Sequence, residues 1–174
     1  DQEVKGLPSL GRGPLLASTA KLDIRWSDGG YAWIRKEDAS AAQAEDYWRA
    51  NQEELEASCA WASRFTNTAL MNRTPVAAAH LRFSRINGRE SAENFLRPIG
   101  TLVGLEENTG QHTLVRKLSA HVKALAKGKT DKKVENEDIL VMLTDLYVKH
   151  LQGKKVSKVA WPEDWTTPAI PRIK

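Results

Sequence analysis

The spacing of hydrophobic and polar residues predicts a chain that is mostly α-helical. A long helix, straight or bent, is predicted from about Ser40 to Met71, because apolar residues recur there on one face of a 3.6-residue wheel. The members of that face are Ala41, Ala44, Trp48, Leu55, Cys59, Ala62, Phe65 and Ala69. Thr74-Pro75 ends this helix and can begin the next one.

Two shorter helices are predicted after that proline. The stretch Val76–Ile86 has a helical apolar face and ends at Asn87-Gly88, a pair suited to a helix C-terminus. The letters HLRFSRI within this stretch also fit a strand, and we prefer the helix. A short helix is expected at Ser91–Leu96, and Pro98 and Gly100 are expected to interrupt it.

The last two predicted helices have the clearest patterns. Gln111–Lys127 is amphipathic and is closed by Gly128. Lys133–Gln152 is closed by Gly153, with acidic residues near its start and a lysine near its end, as the helix dipole favours.

Both ends of the chain depart from the helical pattern. Residues 1–20 hold three glycines and two prolines and predict an extended arm. Leu22, Ile24 and Trp26 alternate with polar residues before Asp28-Gly29-Gly30, a pattern typical of a β-hairpin. Residues 154–174 contain three prolines and no helical period, which predicts a second extended arm. We therefore expect an all-α domain over residues 21–153, a bundle of four to six helices with a small N-terminal hairpin.

The net charge of the 174-residue chain is +4, and this charge is unevenly distributed. Residues 1–60 hold 7 basic and 11 acidic residues, whereas residues 61–133 hold 13 basic and 5 acidic residues. A basic middle third predicts an anionic partner, or an internal match with the acidic first third. The longest apolar run, Ile139–Leu143, is far too short to span a membrane.

The histidines and the single cysteine do not form a recognisable reactive group. Cys59 allows neither an internal disulfide nor a cysteine-based zinc site, and it is expected in the core. A lone cysteine favours an intracellular compartment, and removal of an organellar leader is compatible with a start at Asp1. The four histidines lack ligand spacing, and His121 is expected to be packed or half-exposed.

No catalytic, cofactor or metal site is predicted. The segment Gly104–Thr113 resembles a phosphate loop only superficially, because five residues separate its glycines and Gln111 replaces the lysine. We expect a turn there, with Asn108 or Thr109 as the N-cap of the following helix. An enzyme that uses residues distant in sequence stays a third hypothesis.

The segment Leu114–Lys133 is the most basic part of the chain, with seven lysines and arginines and one acid. On a helical wheel its apolar residues and its cations occupy opposite faces. The apolar face consists of Leu114, Leu118, Val122 and Leu125. The candidate polyanion-binding residues are Arg116, Lys123, Lys127, Lys129, Lys132 and Lys133. The alternative interpretation is an ordinary solvated helix face.

The helix Lys133–Gln152 is apolar on nearly all sides, so either the chain's own bundle surrounds it or a second chain covers it. The candidate docking residues are Leu140, Val141, Tyr147, Val148, Trp161 and Trp165. Our first hypothesis is a non-catalytic structural or accessory subunit of a larger protein assembly, held by other subunits or by self-association. The alternative hypothesis is nucleic-acid binding through the basic middle third.

Two short stretches, RTPVAAAHL (Arg73–Leu81) and EENTGQHT (Glu106–Thr113), resemble pieces near the C-terminus of the coat proteins of flexuous filamentous plant viruses. Together they cover 17 residues, their spacing differs from that in such coat proteins, and about 60 residues follow the second stretch. The resemblance implies a nucleocapsid-like function, which is one form of the nucleic-acid alternative.

Overall fold

The computed structural model describes residues 41–64, 73–163 and 167–173, and the regular structure in these residues is α-helical. Five helices follow one another, named here α1 (Ala41–Ser63), α2 (Arg73–Asn87), α3 (Arg89–Thr101), α4 (Gly110–Ala126) and α5 (Asn136–Leu151). The predicted all-α fold is thus confirmed for the described residues. The predicted β-hairpin and the arm over residues 1–20 lie outside them.

Helix α1 bends at Asn51, where the backbone angles φ −126° and ψ 22° leave the helical range. The Asn51 amide donates to the Tyr47 carbonyl (2.9 Å) and accepts a hydrogen bond from Arg85 (2.8 Å). A side-chain amide that bonds nearby backbone competes with the helical hydrogen bonds, so the bend has a local cause. The residues 65–71 of the predicted long helix lie outside the described part of the chain.

Helices α2 and α3 correct one prediction and confirm another. The stretch HLRFSRI is helical, as preferred over a strand. The expectation that Pro98 and Gly100 interrupt α3 is wrong, because the helix continues through both residues to Thr101. Buried side chains on both sides of the proline, Phe95, Leu96 and Ile99, hold this turn against the core, and such packing outweighs the low helix propensity of proline.

Helices α4 and α5 are closed as predicted by Gly128 and Gly153, which follow the last helical residues Ala126 and Leu151 by two positions. Both glycines have φ 67°, a left-handed conformation that an L side chain rarely adopts. Each glycine is followed by a backbone bond that closes the last turn, from Lys129 N to the Ala124 carbonyl (2.9 Å) and from Lys154 N to the Lys149 carbonyl (3.0 Å).

The core lies where three aromatic rings from three helices meet. The ring of Tyr147 stacks on Phe83 with centroids 4.1 Å apart, and Phe95 lies 5.2 Å from Tyr147. The buried tyrosine hydroxyl lies 2.7 Å from Ser91 Oγ and accepts a hydrogen bond from the Asn87 amide (3.1 Å). Helix α2 packs against α1, α3 and α5, whereas α4 packs against α3 and α5.

Helix α5 is enclosed by the chain itself, which corrects the hypothesis that it presents a docking surface. Its four candidate docking residues are each at most 7% exposed: Leu140, Val141, Tyr147 and Val148. Helices α2 and α4 pack on it, and the aromatic centre surrounds Tyr147. These side chains are therefore part of the chain's own core and are not available to a partner in this fold.

The C-terminal segment has no helix or strand in residues 154–163 and 167–173, and it folds back on the body of the molecule. Ile170 and Thr167 are buried, and Val156 and Val159 pack partly against the core. Near the end, the Asn87 amide donates to the Pro171 carbonyl (3.0 Å) and its oxygen accepts from Ile173 N (2.7 Å). Both described parts of the predicted arm are thus bound to the helices of the same chain.

Candidate polyanion-binding face

The six candidate polyanion-binding residues lie at the surface on one side of the fold, and we name them the basic face. Three belong to α4 and the residue that follows it, and three to the turn after them: Arg116, Lys123, Lys127, Lys129, Lys132 and Lys133. All six are exposed. The opposite face of α4 carries Leu114 and Leu118 into the core, so the predicted division of this helix is confirmed over its first turns.

No side chain of the basic face forms an ion pair within the described residues, although cations elsewhere in that part of the chain do. The pairs elsewhere are Arg49–Glu45 (2.6 Å), Arg85–Glu54 (2.7 Å), Arg89–Glu93 (3.5 Å) and Lys149–Asp145 (2.8 Å). The acidic residues of α1 therefore do not neutralise the basic face. The sequence allowed the acidic first third to pair with the basic middle third, but α1 and the basic face form no such ion pairs among the residues described.

The C-terminal segment runs beside α4 in the same direction and adds three exposed lysines: Lys154, Lys155 and Lys158. Val156 lies at the first residue of α4, where a Cβ on Gly110 would come within 3.1 Å of the Val156 Cβ and 2.6 Å of Leu146 Cδ2. Trp161 lies beside His121, with ring centroids 5.1 Å apart. An extended chain from Val156 to Trp161 covers about 16 Å, which is also the rise of α4 from Gly110 to His121.

A groove of about 720 Å³ opens between the start of α4 and this segment. Arg116 and His112 of α4 line it together with Lys155 of the C-terminal segment and Glu107 of the turn before α4. The two cations come from different elements and their electric fields add at one concave surface, where the Glu107 carboxylate offsets part of their charge.

Trp161, a candidate docking residue, lies inside this basic region. Lys117 Nζ and Lys132 Nζ lie 4.9 and 5.0 Å from the centre of its ring, within cation–π distance. His121 Nε2 donates to the Lys132 carbonyl (2.8 Å) and so ties α4 to the following turn. No Phe, Trp or Tyr lies between Arg116 and Lys133. The contact of Trp161 with the two lysines could not be predicted from that stretch, because Trp161 belongs to the segment after α5. Trp165 lies outside the described residues.

The apolar face of α4 extends beyond the core. Leu114 and Leu118 are buried, but Val122 and Leu125 on the same face are 41% and 40% exposed. We name Val122 and Leu125 the α4 overhang. Lys123 adjoins it, about 100° around the helix from Val122.

A buried hydrogen-bonded chain, Ser58–His80–Glu93, joins α1, α2 and α3. The Ser58 Oγ lies 2.8 Å from His80 Nδ1, and His80 Nε2 lies 3.3 Å from Glu93 Oε2. Because a carboxylate only accepts, Nε2 carries the proton and the Ser58 hydroxyl donates to Nδ1. Burial lowers the pKa of His80 from 6.5, an effect that Arg89 reinforces and Glu93 opposes.

These three residue types recur in serine hydrolases, but here the arrangement is closed. Ser58 and His80 are buried, and Trp61 stacks on the imidazole with ring centroids 4.5 Å apart. A substrate carbonyl has no access to a hydroxyl in that position, so we assign the Ser58–His80–Glu93 chain a structural role in joining the helices.

In the described residues, no three side chains of histidine, cysteine, aspartate or glutamate converge as metal ligands. None of the five described helices has the length and hydrophobicity that a bilayer span requires. His121 is half-exposed, Cys59 is buried and Thr109 caps α4 by accepting from His112 N (3.2 Å), each as predicted.

Comparisons of the chain with protein-family models, with curated proteins and with solved structures found no match. The two short stretches that resemble coat proteins fall in different environments: Val76–Leu81 is buried in α2, and Glu106–Asn108 lies in an exposed turn.

Proposed function

We propose that this chain binds nucleic acid through the phosphate backbone, using the basic face together with Lys154, Lys155 and Lys158. One observation carries the proposal: six exposed cations of one region have no ion pair among the described residues, whereas four cations elsewhere in those residues, Arg49, Arg85, Arg89 and Lys149, are paired. Like charges held close together repel each other and oppose the compact state. A bound polyanion removes that repulsion, and the counterions it releases add a favourable entropy.

The composition of the basic face favours nucleic acid over an acidic protein surface. Five of its six residues are lysines. Lysine is depleted from the buried centre of protein–protein interfaces, because its flexible chain and strongly hydrated ammonium are costly to bury. Phosphate contacts leave the ammonium partly hydrated, and lysine and arginine provide most of the electrostatic contribution to nucleic-acid affinity.

The expected binding is independent of base sequence. Lysine ammonium groups act as point charges and do not form the planar, two-point contacts with which arginine reads guanine. Trp161 already has two lysine ammonium groups and His121 against its ring, so it is not an open platform for base stacking. Backbone charge therefore dominates the affinity.

The test is a titration of labelled single-stranded and duplex oligonucleotides of mixed sequence, followed by fluorescence anisotropy at several salt concentrations. Affinity should fall steeply with salt and vary little with sequence. The triple variant Lys123→Gln/Lys127→Gln/Lys129→Gln should bind more weakly. Its slope of log K against log salt should be shallower by about 1 for each lysine–phosphate interaction that the substitutions remove.

A matched control removes the same charge from paired sites. The triple variant Arg49→Gln/Arg89→Gln/Lys149→Gln alters three paired cations and should bind almost as the parent chain does. Equal weakening in both triple variants would mean that net charge alone attracts the oligonucleotide. No binding by the parent chain at low salt would refute the proposal.

A second candidate function, docking as a subunit in a protein assembly, is supported by the α4 overhang. The four α5 residues first expected to dock are in the core, so this function now depends on a different surface. Val122 and Leu125 are apolar side chains on the core-facing side of α4 that the described chain leaves two-fifths exposed. Neighbouring exposed apolar side chains on one helix face are typical of an interaction surface.

A further inference from the structure

We infer that the α4 overhang of one molecule binds the outer face of α1 of a second copy, in a head-to-tail contact. This inference deepens the second candidate function by naming the partner. It does not depend on nucleic-acid binding, because the overhang and the cations Arg116 and Lys127 lie on different sides of α4, and only Lys123 belongs to both the basic face and the rim of this contact.

The fold places an acidic helix and a basic helix on opposite sides of a shared middle layer. Helix α1 packs chiefly on α2, α4 packs on α3 and α5, and α2 in turn packs on α3 and α5. Helix α1 contains five acidic residues and one basic residue, Arg49, which pairs with Glu45. The molecule is therefore electrically polar from its α1 side to its α4 side.

The outer face of α1 has a composition that complements the overhang. The positions Ala42, Asp46 and Ala50 recur every four residues on one side of α1 before its bend, Glu53 follows the bend at Asn51, and all four are exposed. Asp46 and Glu53 carry no ion pair in the described residues. The two alanines leave shallow space on either side of Asp46, and a larger side chain such as Val122 or Leu125 can enter it.

The overhang and the outer face of α1 complement each other both in charge and in hydrophobicity. An apolar centre with a charged rim is the usual anatomy of a protein interface. In the inferred contact, Val122 and Leu125 lie over the alanines, and Lys123 at the rim meets Asp46 or Glu53. A second α4 could cover the overhang too, but it would bring lysines against lysines. The acidic α1 is therefore the favoured occupant.

Because the contact joins two different surfaces, each of the two molecules has only one of its surfaces occupied. A dimer still presents the free α1 face of one copy at one end and the free overhang of the other copy at the other end. Association should therefore continue past the dimer as the protein concentration rises, and it should weaken with salt because the rim is ionic.

The test uses two variants, each with one disabled surface, in the nuclease-treated 174-residue chain, whose absorbance ratio shows no nucleic acid. Val122→Ser/Leu125→Ser removes the overhang, and Asp46→Lys/Glu53→Lys reverses the α1 face. Light scattering after size exclusion should show the parent chain growing beyond a dimer with concentration, and each variant alone as a monomer. An equimolar mixture should form a 1:1 heterodimer that grows no further, because each partner contributes its one intact surface.

Every other outcome overturns the inference. A parent chain that stays monomeric has no such contact, and association that survives in either variant uses other surfaces. A dimer of the Asp46→Lys/Glu53→Lys variant alone means that two overhangs pair with each other. Circular dichroism checks that both variants fold, and Lys123→Glu at the exposed rim provides a second way to weaken the contact if the serine variant does not fold. Retained oligonucleotide binding without self-association would reject this inference and leave the first proposed function intact.

Discussion

The α1 side and the α4 side of this molecule differ in whether their cations have acidic partners. At the α1 side, Arg85 reaches across from α2 to Glu54 (2.7 Å), the Tyr47 hydroxyl (2.6 Å) and Asn51 (2.8 Å). At the α4 side, the cations of the basic face extend into solvent without an acidic partner among the described residues. The Arg85–Glu54 pair thus joins two helices at the first side, although Asp46 and Glu53 there have no ion pair in the described residues, and the basic face has no such pair.

The same contrast holds for apolar side chains. Helix α5 is the most apolar of the five described helices, and α2, α4 and the aromatic centre enclose it. Helix α4 is less apolar, but Val122 and Leu125 in its last turns are about two-fifths exposed. Hydrophobic content therefore did not indicate which surface is open. A moderately apolar helix that extends past its neighbours exposes more than a very apolar helix at the centre of the bundle.

The largest effect is expected from shortening a leucine on each of these two helices. Leu140→Ala in α5 should lower the free energy of unfolding by about 2–5 kcal/mol, because the side chain is fully enclosed and its removal leaves a cavity. Leu125→Ala at the overhang should change it by less than about 1 kcal/mol, because water already reaches the side chain and alanine favours the helix. Urea unfolding of both variants measures the difference. Similar losses in both would show that something covers the overhang.

The helices were predictable from the sequence because their signals are local. The period of apolar residues located α4 and α5, and Gly128 and Gly153 marked their ends through a backbone conformation that depends on a few neighbouring residues. The α4 cap at Thr109 was likewise readable from the chain. The error at Pro98 arose because a proline penalty is local, whereas the packing of Phe95 and Ile99 that outweighs it is not.

The candidate site was predicted only in part, for the same reason. The cations of α4 could be identified because helical spacing places them opposite the apolar face. Trp161, Lys155 and the groove beside Arg116 depend on where a segment after α5 folds back, and no periodicity encodes that path. The four docking residues of α5 were misassigned because an apolar helix has the same pattern whether its own chain or another chain encloses it.

The second prediction concerns the attachment of α1 to its neighbours and its dependence on pH. The pKa of His80 is lowered by burial, so the folded state takes up a proton less readily than the unfolded chain. Stability from this group is therefore fully present above pH 6.5 and is lost as the pH falls from 6.5 towards the lowered pKa. Glu93 and Arg89 are the charged groups that act on the imidazole, with opposite signs.

Denaturant unfolding across this pH range, with hydrogen exchange of individual amides, locates the effect. Amides of α1 should lose protection on acidification before amides of α4, because His80 joins α1 to α2 and α3. The control His80→Gln keeps a donor and an acceptor at this position but cannot titrate, and its stability should have a shallower pH dependence. An equal slope in the variant would assign the pH effect to other groups.

The smallest effect is expected from neutralising one cation on each side. Arg85→Gln should lower the free energy of unfolding by about 1 kcal/mol, because it breaks a half-exposed pair and two further hydrogen bonds between α1 and α2. Lys123→Gln should leave stability unchanged within about 0.5 kcal/mol, because an exposed side chain with no ion pair among the described residues contributes little. Added salt should narrow the difference between the two variants, since it screens the Arg85–Glu54 pair in the parent chain. Equal losses at low salt would show that the side chain of Lys123 also has a partner within the chain, and that the contrast between the two sides does not hold.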